Sequence, residues 1–265
     1  MSNTAIVLAT GSFTLPEFYD SMTDAIRSKG IEMVVPHLLS VGLKVPGGAG
    51  VREGVAPPMT DDAALLAGEI QRLADEGKDV VVMGHSYGGT PATESIKGLT
   101  KKEREAQGKK GGVVRLAYMT AVVPPVGTPC ADVLKDVLPS DSLRMSPDEN
   151  FWLSHDDLAK SGAVIFSDMS AEDALAWMKR FPKHSGVSYA TPLTYEGYSQ
   201  VPVSWLFCEK DQVIPPKAQE AAIELIEKTS GNKVDVTRIN AGHCPSILAG
   251  QEVVDWIVGL VGKNE

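Results

Sequence analysis

The chain has 265 residues, 43% hydrophobic and 22% charged, with a net charge of −9. That balance suits a globular protein with a sizeable core, and the acidic surplus argues against a nucleic-acid partner, which needs a basic face. Three cysteines, Cys130, Cys208 and Cys244, are too few and too dispersed for a disulfide framework or a zinc site.

The residues before the first apolar run carry no basic segment, and that run stops at Gly11. No secretory leader or membrane span is expected from it, and the cytoplasm is the expected compartment. Residues 5–9 read as a strand, and residues 16–29 as a helix with Pro16 at its start and Gly30 just past its end. Residues 31–35 form a second strand halted by Pro36, and a loop rich in Gly and Pro covers 41–58. Thr60, Asp61 and Asp62 open a helix in which Leu65, Leu66, Ile70 and Leu73 recur at helical spacing. Residues 80–83 are a buried strand leading directly into Gly84-His85-Ser86-Tyr87-Gly88-Gly89, and a helix to about Leu99 follows. The basic cluster between Lys97 and Lys110 is interrupted by Glu103 and Glu105 and reads as a solvated helix end and loop. Residues 113–119 are nearly all apolar, as in a strand buried on both faces.

Strand and helix signals alternate regularly to this point, as in a parallel sheet wrapped by helices. From Pro124 to about Ser199 the alternation breaks into short helices, with starts at Asp141-Ser142, Ser146-Pro147-Asp148-Glu149 and Ser170-Ala171-Glu172-Asp173. The expected organisation is an α/β core formed by residues 1–123 and 200–265, with a helical lid inserted at 124–199. The alternation resumes with a strand at 201–207, a helix near 217–228, a strand at 234–239 and a last helix at about 246–261. Of the large apolar residues in the insertion, Trp152, Phe166 and Trp177 are expected to face a substrate pocket.

The stretch 84–89 reads G-x-S-x-G between a strand and a helix. So tight a reversal crowds the backbone, and small residues at 84, 88 and 89 relieve it. It presents the Ser86 hydroxyl at the sheet edge beside the first N–H groups of a helix. A serine hydroxyl needs a base, and the base needs an orienting acid. Of the five histidines, His243 stands in a Gly- and Pro-shaped turn directly after the strand at 234–239, the place from which an imidazole reaches the sheet edge. Asp211 lies in the loop after the preceding strand, ahead of Pro215 and Pro216; Glu209 is nearer the strand end, and Asp235 sits inside a strand. Ser86, Asp211 and His243 therefore occur in the order nucleophile, acid, base. The oxyanion donors are expected to be the backbone N–H of Tyr87 and that of Ser12 or Phe13, in the loop behind the first strand.

Together with Thr10-Gly11-Ser12, Cys208-Glu209-Lys210-Asp211, Ile214-Pro215 and Gly242-His243, the elbow resembles the α/β-hydrolase superfamily over nearly the whole chain. The resemblance is to the lidded, single-domain branch with plant methyl-ester esterases, hydroxynitrile lyases and uncharacterised fungal hydrolases. Two departures stand out. Thr10-Gly11 replaces the usual His-Gly of the oxyanion loop, and Cys244 stands where the lyases carry a lysine, which argues against cyanohydrin cleavage. The expected function is a serine hydrolase for a small apolar ester, thioester or lactone, without metal or organic cofactor, as a monomer or homodimer. A lyase or cyclase of secondary metabolism using the same three residues as acid and base is the alternative, and a ligand-binding receptor on the same scaffold is a second.

Overall fold

The computed structural model describes residues 3–44, 50–135, 137 and 143–263. Asp141 and Ser142, read above as a helix start, lie outside the described residues. The core is a six-stranded sheet built from β1 (Thr4–Ala9), β2 (Glu32–Val34), β3 (Asp79–His85), β4 (Gly112–Met119), β8 (Val203–Cys208) and β9 (Asp235–Ile239), in the order β2-β1-β3-β4-β8-β9. Every pairing in it is parallel. The interior strands β1 and β8 are buried along their whole length, which is why they read as continuous apolar runs rather than alternating ones.

Strand order reverses at β1, and right-handed crossovers then place the first connection on one face of the sheet and the next ones on the other. The first is α1 (Asp20–Ser28), which packs with α10 (Pro245–Leu248) and α11 (Gly250–Gly262). The others are α2 (Met59–Asp75), α3 (Gly89–Ser95), α4 (Lys101–Glu105) and α9 (Pro216–Ser230). Because the strands are parallel, the loops after β1, β3, β4, β8 and β9 all emerge along one edge. In open α/β sheets that edge, beside the reversal, is where ligands bind.

Four sequence expectations are corrected. The helix behind the elbow ends at Ser95, and the basic cluster forms its own helix, α4, started by a Thr100–Glu103 capping box. Arg104 of that cluster is buried, donating to Gly111 O and Asp75. The last helix is two, broken at Ala249. The segment between β4 and β8 is also not helical alone. With α5 (Cys130–Lys135), α6 (Leu158–Ile165), α7 (Ala171–Met178) and α8 (Gly186–Ala190) it carries β5 (Met145–Pro147), β6 (Trp152–His155) and β7 (His184–Ser185). These form an antiparallel sheet ordered β5-β6-β7. Ser146 and Pro147 belong to β5, and the Asp148 carboxylate turns the chain into β6 by accepting from the Asn150 and Trp152 N–H groups. A Val41–His184 bridge and the Ser185 N–H to Ser40 O bond stitch this segment to the loop after β2.

Candidate active site

Ser86 sits at the turn from β3 with φ of +53°, left-handed backbone that a serine adopts only when its surroundings enforce it. The enforcement comes from close packing. A Cβ on Gly84 would lie 2.6 Å from the Gly89 Cα, and one on Gly88 only 2.2 Å from the Ala9 carbonyl oxygen of β1. The glycines thus let the elbow press against β1 and α3, and Val122 N–H donates to Ser86 O.

The loops behind β8 and β9 bring Asp211 and His243 to this serine. His243 Nε2 is 3.0 Å from Ser86 Oγ, and His243 Nδ1 is 2.8 Å from Asp211 Oδ2. The other Asp211 oxygen accepts the N–H groups of Val213 and Ile214 at 2.7 and 2.9 Å, and Thr120 Oγ1 donates to Oδ2. Every lone-pair site of the carboxylate thus has a donor, which pins its plane and the imidazole bound to it. The alternative acid, Glu209, is exposed.

His85 joins two of the active loops. Its Nε2 lies 2.8 Å from the His243 carbonyl oxygen, an acceptor only, so the proton resides on Nε2 and Nδ1 is bare. Nδ1 then accepts from Tyr19 Oη at 2.7 Å, and Tyr19 Oη accepts from the Gly11 N–H at 3.1 Å. The chain of bonds runs from the loop after β1 through Tyr19 and His85 to the backbone of His243. Burial pushes the His85 pKa down to about 3, with nearby His243 adding to the effect, so this chain is uncharged. A further tie comes from the insertion: Asp168 Oδ2 accepts the Gly242 N–H at 2.7 Å and holds the turn before His243.

Ser86, His243 and Tyr87 line a cavity whose wall is mostly apolar, the usual character of a small-molecule site. Ser12 and Phe13 line it too. The Ser12 hydroxyl accepts from Tyr189 Oη at 2.6 Å, while the Phe13 N–H is directed at His184 Nδ1, 3.5 Å away. Cys244 lines the wall as an uncharged thiol, since burial raises its pKa well above the ordinary value. The three aromatic residues expected in the pocket are elsewhere. Trp152 is buried under the 50s loop with its indole donating to Gly54 O. Phe166 closes a smaller neighbouring hollow, and Trp177 packs on Phe18 and Arg180. Instead Leu134, Leu143, Met145, His155, Ile165, Phe181 and Tyr189 supply the insertion's share of the wall. Asp62, in the first turn of α2, is buried and accepts from Tyr87 Oη (2.7 Å) and the Ser40 N–H (2.9 Å). Burial raises its pKa.

A parallel sheet with a glycine-packed elbow behind β3 and a helix-containing insertion after β4 has the architecture of an α/β hydrolase. A family model described as "Alpha/beta hydrolase family" matches residues 6–256, and the chain belongs to that family. The probable hydrolase R7 of a Phoma species is 30% identical over 262 residues, covering 99% of this chain and all of that relative. The solved pyrethroid hydrolase of Sphingobium faniae shares 22% identity at a TM-score of 0.70, over 98% of this chain and 97% of that one. Polyneuridine aldehyde esterase shares 17% at a TM-score of 0.71, over 97% and 98%. Among the described residues, no helix is long and apolar enough to cross a membrane, and no cluster of His, Cys, Asp and Glu could hold a metal ion.

Proposed function

We propose that the chain is a serine hydrolase that cleaves a carboxylic ester, thioester or lactone of a small, largely apolar acid or alcohol. The observation that carries this reading is the relay Ser86–His243–Asp211, with contacts of 3.0 and 2.8 Å, at an apolar-walled cavity. His243 Nε2 accepts the Ser86 proton as Oγ attacks the carbonyl carbon. The resulting imidazolium is held through Nδ1–H by Asp211, and passes its proton to the departing alcohol oxygen. Water, deprotonated by the same imidazole, then releases the acid from Ser86. The oxyanion is met by the N–H of Tyr87 and that of Ser12, because the Phe13 N–H is directed at His184. Residues 124–199 act as the lid over this chemistry, their side chains forming much of the cavity wall. The names of the relative and neighbours, hydrolase and esterase, agree with this chemistry.

The test is labelling by a fluorophosphonate, with mass mapping of the adduct, alongside ester hydrolysis by wild type and Ser86→Ala. Labelling at Ser86 and loss of hydrolysis in the variant are expected. Hydrolysis that survives the substitution overturns the nucleophile.

A further inference from the structure

His155 ends β6 and lines the same cavity as Ser86 and His243, its ring lying 4.5 Å from that of Phe13 between centroids. Its Nδ1 is 3.0 Å from Ser161 Oγ on α6. Ser161 is buried, and among the described residues its hydroxyl has no other hydrogen-bonding neighbour. A buried hydroxyl proton needs an acceptor, so O–H donates to Nδ1 and the ring proton resides on Nε2. That Nε2–H is itself buried and has no hydrogen-bond partner among the described residues. Among the described residues three other buried side-chain polar atoms share this condition, on Thr10, Ser40 and Trp256, and none of those residues lines the catalytic cavity.

An unpartnered donor is costly to bury, and it is retained most readily where a ligand completes it. Burial pushes the His155 pKa down to about 4, so at neutral pH the ring donates a proton without bearing charge. Among the described residues no Lys or Arg lines the cavity, and a carboxylate entering it would be desolvated with no cation to meet it. The complementary group is a neutral oxygen.

Resting on the hydrolase reading above, we infer that the substrate is an oxygenated ester. Besides its scissile carbonyl it carries a ketone, ether or hydroxyl oxygen that accepts the Nε2–H of His155. Ser161 acts as the positioning residue that keeps this proton on Nε2.

The experiment compares isosteric ester pairs that differ by one oxygen function. On the acyl side these are ethyl butanoate, pentanoate and hexanoate against ethyl 3-oxobutanoate, 4-oxopentanoate and 5-oxohexanoate. On the alcohol side they are butyl against 2-methoxyethyl hexanoate. A neutral hydrogen bond is worth about a 2- to 15-fold preference, and at least one oxygenated member is expected to exceed its partner by about that factor in kcat/KM. In His155→Phe the ratio should fall to about one, and in Ser161→Ala it should fall part of the way. Each reading is a ratio within one enzyme, so a general loss of activity cancels, and Ser161→Ala serves if the histidine variant does not fold. A wild type without any such preference, or a preference unchanged in both variants, overturns the role of His155 while hydrocarbon-ester cleavage and Ser86 labelling leave the hydrolase reading standing. A wild type that cleaves no ester and is not labelled at Ser86 brings both down.

Discussion

Tyr19→Phe removes one oxygen and strands two buried partners, the Gly11 N–H and His85 Nδ1. Tyr19 and His85 are 3% and 2% exposed, so water cannot replace the hydroxyl without opening the core. Thr14 offers no substitute, because its hydroxyl proton is already given to Gly11 O at 2.6 Å. Each orphaned group costs ~1–3 kcal/mol, and some relaxation brings the pair to about 3 kcal/mol. For a chain of this size that lowers the melting temperature by roughly 6–12 °C. The activity effect follows from the same bonds. Gly11 precedes the proposed oxyanion donor Ser12, and His85 holds the backbone of His243. Misaligning both should reduce kcat by about tenfold or more with KM little changed, since the contacts at stake tighten in the transition state. Scanning calorimetry and ester kinetics on the single variant check this. A cycle with His85→Leu should show sub-additive losses, since the two changes share one hydrogen bond. A Tyr19→Phe protein melting within 1 °C of wild type with kcat within about twofold would falsify the argued linkage, given the size of the orphaned-group cost.

Three histidines, His85 and His184 buried and His155 partly so, set the acid limit of stability: desolvation pushes them down to about 3, 3 and 4 from 6.5. Unfolding returns each to its ordinary value, so the unfolded chain binds more protons; the contribution is present above about pH 6.5 and is lost as pH falls through 4 towards 3. Near pH 5 the three together contribute a slope of roughly 4 kcal/mol per pH unit, and urea midpoints that stay flat from pH 7 to 5 would contradict this. Gly88→Ala places a Cβ 2.2 Å from Ala9 O and should cost more than ~3 kcal/mol, seen as lost soluble yield and a depressed melting temperature; a normal melt refutes the packing account of the elbow. Phe181→Ala enlarges the cavity and should shift the preferred acyl chain to greater length, whereas Trp177→Ala, outside the cavity, should lower the melting temperature and leave chain-length preference unmoved in the same ester series.

Much of the frame is readable along the chain because it is written in local patterns. Fully buried strands read as apolar runs, and G-x-S-x-G between a strand and a helix marks one particular turn. Asp211 and His243 are recognisable because each follows a strand, and parallel strands deliver their following loops to one edge. The antiparallel sheet of the insertion is not readable, since strands of three, four and two residues carry no alternation to detect. The helix signal at Ser146–Glu149 misleads for a related reason: the side-chain acceptor that caps a helix also closes a tight turn, and Asp148 does the latter.

The supports of the site lie beyond any local signal. Tyr19 meets His85 across 66 positions, Thr120 meets Asp211 across 91, and Asp168 meets Gly242 across 74. Asp62 looks like a helix-start acid yet turns inward to Tyr87, because a carboxylate in a first turn suits either solvent or a buried donor pair. The pocket aromatics show the same limit. Trp152, Phe166 and Trp177 have the composition of a pocket wall, but a large apolar side chain gains as much from sealing the insertion onto the sheet as from lining a cavity. Local pattern was enough to mark Ser86, His243 and Asp211, which the fold brings within hydrogen-bonding distance of one another, because chain order and strand ends constrain them. The facing of the insertion's side chains, including His155 with its unpartnered nitrogen, was decided only when distant segments packed, since a side chain's direction depends on what presses against it.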